Sequence, residues 1–230
     1  MKIIVAGNIS EDIYCHLERL GFTVYRSPFC DRVLPPLGYH PDMQAALLGS
    51  TLICDAELAE EYEKILSGSE INILKGSSSV QSNYPKDVAY NIKVVGNRVF
   101  HNFRYTDSVL TNLMADKLKI NVSQGYSGCS ICKVGDNALI TADRVIYEKA
   151  CSCAVEAVII SPGHILLPGF DSGFIGGASF CFGNTVYFFG NINDHCDSKK
   201  ILDFCNSHGY DVVCLGNGPL TDYGSAIIFE

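Results

Sequence analysis

One cysteine stands in a setting unlike the other ten. Cys129 lies in the stretch GYSGCSICKVGDNALITAD, Gly125 to Asp143, in a short polar segment that precedes an apolar run. A thiolate is a strong nucleophile, but it needs an accessible, electropositive setting and a nearby base. The other reading is a small packed hydrophobe. Two histidines with adjacent acids could supply proton transfer: His40 in His40-Pro41-Asp42, and His195 in NINDHCDS. Each has an ordinary alternative. Pro41 and Asp42 are turn residues, and Asp194 or Asp197 would cap a helix after His195. Asp222 in LTDYGS could hold a ligand or bond its own loop backbone. His40, Asp42 and His195 would bind a metal only if the fold made them converge. Cys129 and Cys132 form a single C-x-x-C without a matching pair, which is weak evidence for zinc, as is Cys151-Ser152-Cys153. Read as part of a strand, Cys129 and Cys132 point to opposite faces. No metal or cofactor is expected.

Composition bounds the rest. The 230 residues are 47% hydrophobic and 18% charged, enough for a substantial core in one large domain or two small ones. The net charge of −8, without a basic run, argues against nucleic acid as a partner. A small cationic ligand is compatible with it. No signal peptide and no apolar run long enough to span a membrane are recognised, so no membrane association is expected. The 11 cysteines are odd in number and irregular in spacing, and most lie within apolar runs. That pattern fits packed thiols in a reducing cytoplasm better than a disulfide framework.

The elements that position these residues follow from a repeat. LLGSTLICD, VVGNRVFHN, KVGDNALITAD and CFGNTVYFFGN each place a glycine and a small polar residue between two apolar runs, at Gly49, Gly96, Gly135 and Gly183. These are hairpin signals, because the turn needs a positive φ. A helical pattern follows each: AELAEEYEKIL, TDSVLTNLMADKL, the weaker DRVIYEKACS, and DSKKILDFCNSHG. A further strand follows each helix, so the unit is strand, strand, helix, strand. The steps between the glycines are 47, 39 and 48 residues. The C-terminal YGSAIIFE reads as a first strand without a partner and the N-terminal MKIIVAGN as a second. The predicted fold is therefore α/β: a five-bladed propeller of ββαβ units around a pseudo-fivefold channel. Its fifth unit is closed by the N- and C-terminal strands, and residues 1–230 form a single domain. A dinucleotide-binding reading is disfavoured, because VAGNIS lacks G-x-G-x-x-G and hairpins conflict with an alternating parallel sheet.

This architecture resembles the pentein fold of the guanidine-modifying enzymes, which include arginine and agmatine deiminases and dimethylarginine hydrolases. QGYSGCS, GFDSGFIGGAS and GPLTDYGSAIIF are similar to an uncharacterised bacterial family assigned to that fold. The resemblance implies a site at one mouth of the channel, on the loops leading into each first strand: 39–44, 84–91, 124–130, 169–179 and 218–225. The second strands exit at the same mouth, which adds His101, Asn102, Arg104, Asp143, Asn191, Asp194 and His195. GCSI resembles the short context of the deiminase nucleophile. By that resemblance Cys129 would attack an amidine carbon, and the acid and base would be His40, His195 or neither. Asp42, Asp87 and Asp222 would hold a guanidinium, Arg104 would clamp a carboxylate, and Gln124 and Tyr126 would line the channel. The family's His-x-Asp is expected one unit before the cysteine, where this chain has Pro85-Lys86-Asp87. His40-Pro41-Asp42 comes one unit too early. Ala178 follows Gly176-Gly177 where those enzymes carry Asp or Asn, so the usual triad is not intact.

Two functional classes follow. One is a thiol-dependent hydrolase or transferase acting on a small guanidine- or amidine-like compound in the central channel. The other is a non-catalytic propeller that binds a small molecule or a protein. Sequence does not decide between them, nor does it give the oligomeric state. The Ser-rich stretch at 75–87 is either a mobile flap over the mouth or a flexible connection.

Overall fold

The computed structural model describes residues 1–229. In chain order, β1 (Lys2–Val5), α1 (Glu11–Arg19) and β2 (Thr23–Arg26) come first. They are followed by α2 (Pro41–Gln44), β3 (Ala45–Leu48), β4 (Thr51–Cys54), α3 (Ala59–Ile65) and β5 (Asn72–Lys75). The next group is β6 (Lys93–Val95), β7 (Arg98–His101), α4 (Ser108–Leu113) and β8 (Leu118–Asn121). Then come α5 (Ser127–Ser130), β9 (Ile131–Val134), β10 (Ala138–Thr141), α6 (Arg144–Ser152) and β11 (Glu156–Ile159). The chain closes with β12 (Ser179–Phe182), β13 (Thr185–Phe188), α7 (Ser198–Ser207), β14 (Asp211–Cys214) and β15 (Ile227–Phe229).

These strands make five three-stranded sheets. In four of them a hairpin pairs the first two strands antiparallel, and the helix carries the chain across to a third strand parallel to the second. The fifth sheet has the same order built from both ends of the chain. β15 pairs antiparallel with β1, with Phe229 opposite Lys2, and β1 pairs parallel with β2. Each sheet is thus one strand-strand-helix-strand unit, as the repeat predicts.

The hairpins turn on the four predicted glycines, whose φ values lie between +55° and +66°. That region is free for glycine and costs other residues about 1 kcal/mol or more. Three of the turns are two residues long, whereas Gly135-Asp136-Asn137 spans three. Helix starts follow from side chains. Ser10, Asp107 and Asp143 accept from the first-turn N–H groups of α1, α4 and α6. The third helical pattern, weak in sequence, is a nine-residue helix held by this cap and by buried Ile146 and Ala150.

Three expectations need correction. Cys129 is not on a strand but in the one-turn helix α5, so the argument that Cys129 and Cys132 face opposite sides of a strand does not apply. Asp197 stands at the N-cap position of α7, yet its carboxylate accepts from Ser161 N–H instead of capping. The stretch 75–87 is tied down. Ser77 and Ser78 donate to Asp107, Val80 donates to Asp55, and Val80 is buried. Among the described residues no helix is long and apolar enough to cross a membrane.

Candidate functional site

Four of the five segments that lead into first strands supply the side chains that meet around Cys129, and the fifth, before β12, supplies a backbone N–H. The thiol donates to Asp42 Oδ2 at 3.0 Å. Asn91, just before β6, braces it twice: its Nδ2 donates to Sγ at 3.2 Å and its Oδ1 accepts from Cys129 N–H at 3.2 Å. Asn91 Nδ2 also donates to the Asp42 carbonyl, and the Asn91 carbonyl accepts from Gly128 N–H. These partners fix the orientation of the amide. On the other side, Gly177 N–H donates to the Cys129 carbonyl. Cys129 is 4% exposed.

Asp222 completes the cluster. It lies in the segment before β15, with one carboxylate oxygen accepting from Phe174 N–H and the other from Gly224 N–H. Both its ligand role and its loop-bonding role were open in sequence; here it bonds its own loop and a neighbouring one. His40 Nδ1 lies 3.8 Å from Asp222 Oδ1. Glycine is required for this closeness. A Cβ at Gly177 would fall on the Asp222 carboxylate, and one at Gly224 would fall on His40. His40, Asp42 and Asp222 are all buried, and His40 Nδ1 and Asp42 Oδ1 have no hydrogen-bond partner.

The electrostatics oppose ionisation of the thiol. Burial pushes Cys129 well above the ordinary thiol range, and the charges of Asp42 and Asp222 push it further. The Asn91 amide acts the other way and is outweighed. Asp222 is raised as well, chiefly by burial, with His40 partly offsetting it. The side chain of Lys93, two residues past Asn91, borders a cavity of about 160 Å³ together with Asp42, Gly128 and Ser225. Burial lowers its ammonium, while Asp42, Cys132 and Cys129 raise it.

The other predicted residues fall into two groups. Tyr126 and Asp87 adjoin the cluster: Tyr126 OH donates to Asp87 Oδ2 at 2.5 Å, and Asp87 Oδ1 is buried without a partner. Burial raises Asp87, and the Tyr126 hydroxyl partly offsets this. The Tyr126 ring stacks on Phe174 at 6.1 Å. Gln124 Oε1 accepts from Tyr126 N–H and shapes the turn before α5. Arg104 and His195 have no contact with the thiol cluster. Arg104 is exposed and lies over the Tyr105 ring. His195 packs near His164, with ring centroids 5.4 Å apart, and its Nδ1 accepts from Asp197 N–H. The metal set of His40, Asp42 and His195 is therefore not assembled. His195, Cys196 and Asp197 do bring their ligand atoms within 4.8 Å of one another.

Asn91 and Lys93 carried no signal as site residues. Their position was legible, since both flank the start of a first strand, as Cys129 and Asp42 do. His101 is buried and structural: its Nε2 donates to the Gly125 carbonyl at 2.9 Å and its Nδ1 accepts from Thr106.

Residues 4–227 match the model of a family described as a family of unknown function (DUF6873), and the chain belongs to that family. No curated protein matches it. Among solved structures the chain is similar to a dimethylarginine dimethylaminohydrolase bound as an adduct with 4-chloro-2-hydroxymethylpyridine. That match has 9% identity, a TM-score of 0.60 and 99% coverage of both chains. The dimethylarginine dimethylaminohydrolase of Pseudomonas aeruginosa in complex with citrulline matches at 9% identity and a TM-score of 0.60, covering 99% of this chain and 98% of that one. A C. jejuni agmatine deiminase matches at 8% identity and a TM-score of 0.56, with 98% and 92% covered. The chain has the pentein fold of the guanidine-modifying enzymes.

Proposed function

We propose that the five sheets close into a single-domain propeller around a central channel, and that the Cys129 cluster at its mouth acts on a small cationic amidine or guanidine. Residues from all five lead-in segments support the closed arrangement: Asp42, Asn91, Cys129, Gly177 and Asp222. One observation carries the chemistry. A buried thiol bonds one carboxylate, and a second carboxylate with a histidine lies in the same cluster. Asp42 Oδ1 and the adjoining Asp87 Oδ1 are buried acceptors with no donor among the described residues. Unfilled buried acceptors are costly, and a planar cation with several N–H donors would fill them. The same cation would offset the two carboxylate charges that hold the thiol protonated.

In this reading the thiol proton passes to Asp42, and sulfur attacks the amidine carbon. A C–S bond forms and the C=N π pair moves onto nitrogen. Protonated His40 gives a proton to the departing nitrogen as the C–N bond breaks. Water then attacks the covalent intermediate and its proton goes to His40. The C–S bond breaks as the C=O bond forms, sulfur recovers its proton from Asp42, and the remaining water proton is lost to solvent. An amine in place of water would make the reaction a transfer. His40-Pro41-Asp42 thereby takes the place of the missing His-x-Asp from a different unit. The structural relatives, a dimethylaminohydrolase and an agmatine deiminase, support the substrate class.

The test is amine or ammonia release from arginine, agmatine and methylguanidine by wild type, Cys129→Ser and His40→Ala. Release by wild type alone, with a substrate-derived adduct on Cys129 in quenched samples, supports the enzyme. A second reading is favoured by the buried, protonated thiol: a propeller that binds the cation without turnover. Under it, guanidinium compounds bind wild type and Cys129→Ser equally and no amine is released. Absence of both binding and release would sink both readings.

A further inference from the structure

We infer that a cavity beside Cys129 receives an apolar substituent of the bound cation, so that the ligand is an alkyl- or aryl-substituted guanidine or amidine without an anionic tail. The inference rests on the cation-binding reading of the thiol cluster. The cavity has a volume of about 230 Å³, enough for a group of roughly half a dozen carbon atoms. Ala142, Ile160, Ile165, Phe174 and Ile175 give it a largely apolar wall. Ser130, the residue after Cys129, borders it as well. Ser130 is 3% exposed, and its hydroxyl is buried without a partner. An unsatisfied buried hydroxyl in an apolar wall is a place for one polar atom of a ligand.

The cavity and the thiol cluster share a boundary. Gly173 and Phe174 border the cavity, and Phe174 N–H donates to Asp222 at 2.9 Å. A Cβ at Gly173 would stand 3.1 Å from both Asp222 Oδ2 and Ile165 Cγ2. The same Cβ would stand 2.5 Å from Asp222 Cβ, so only glycine lets this segment of the cavity wall lie against Asp222. The charge of the lining selects the tail. Among the described residues Asp143 is the one charged residue that borders the cavity, and its carboxylate already caps α6. No Lys, Arg or His among the described residues lies on the wall, so a carboxylate or phosphate tail would be desolvated there without a partner. An alkyl or aryl group would bury its surface.

The experiment uses the full chain carrying Cys129→Ser, which keeps the cavity and cannot turn over. Calorimetry compares n-pentylguanidine, 4-guanidinobutanoate and guanidinium ion. The pentyl compound is expected to bind about tenfold or more tightly than the carboxylate compound. In Ala142→Phe, which fills the cavity from a partly exposed position, that preference should disappear while guanidinium binding stays unchanged. Equal binding of the two tails, or a preference that survives Ala142→Phe, overturns the inference. Cyclohexanol, which has no cationic head, is titrated separately by NMR. If it shifts the amide signals of Ser130, Ile165 and Ile175 while guanidinium fails to bind, the cavity stands and the cation reading falls. If cyclohexanol shifts none of them, the cavity proposal falls, whatever guanidinium does. Ser130→Ala, a small change expected to fold, should weaken cyclohexanol several-fold; no effect counts against the hydroxyl as the polar contact.

Discussion

At Cys129 three influences act on one proton. Burial and two carboxylates hold it on sulfur, and one amide favours its loss. The thiol should therefore label slowly with iodoacetamide at pH 8, behind exposed Cys15, Cys151 and Cys196, in site-resolved mass spectrometry. Fast labelling of Cys129 in the ligand-free protein would contradict a protonated, buried thiol. Asp42→Asn removes a negative charge and a carboxylate acceptor, so it should lower the thiol pKa. Below that pKa, each unit of lowering raises the thiolate fraction and the labelling rate about tenfold. An unchanged or slower rate in Asp42→Asn would mean that Asp42 is not what holds the proton. The candidate residues were legible here as types at particular places, because a Cys, a His-x-Asp and an Asp all precede first strands. Their meeting was not legible. His40-Pro41-Asp42 is two sheets from Cys129 along the chain, and only the packing of lead-in segments brings it to the thiol. Asn91 escaped notice because an asparagine before a strand has many ordinary uses.

At the scale of elements, the site depends on how its segments are held. His101, on β7, fixes the Gly125 carbonyl just before α5. Burial lowers its pKa to about 4. The unfolded chain, with an ordinary value near 6.5, binds more protons across that interval. Stability is thus fully present above about pH 6.5 and is lost as pH falls toward about 4, by up to about 3 kcal/mol. His101→Asn should be less stable at pH 7 but should show a smaller loss between pH 6.5 and 4.5 in urea titrations. A parallel loss in both proteins would rule out His101 as the source. Glycines separate two roles in the same way. Gly183→Ala, at an open hairpin tip, should cost about 1 kcal/mol and leave guanidinium binding intact. Gly177→Ala drives a methyl into the Asp222 carboxylate and should abolish binding. Calorimetry on the two variants decides this, and retained binding in Gly177→Ala would place Asp222 outside the site. The hairpin glycines were the clearest feature of the sequence, because positive φ leaves few residue choices. The one-turn helix at Cys129 was hidden, since Ser-Gly-Cys-Ser has no helical periodicity and forms only through its neighbours.

At the scale of the molecule, five sheets share one strand order, and one of them joins the two ends of the chain. Lys2 stands opposite Phe229, so a linker of a few residues should join β15 to β1 without strain. A circular permutant opened between Gly183 and Asn184 should keep all five sheets. It should melt within about 3 °C of the parent by circular dichroism, a difference of ~1 kcal/mol. A molten permutant would show that the β15–β1 pairing does not serve as an ordinary hairpin does. This level of the fold was legible because the split unit repeats the order of the intact ones.

The same pairing bears on how the protein is made. Asp42 and Cys129 leave the ribosome before Asp222 and β15 do. Until β15 docks on β1, the thiol lacks its second carboxylate and the segment that places it. The cluster is complete only once β15 has reached β1, a strand made long before it.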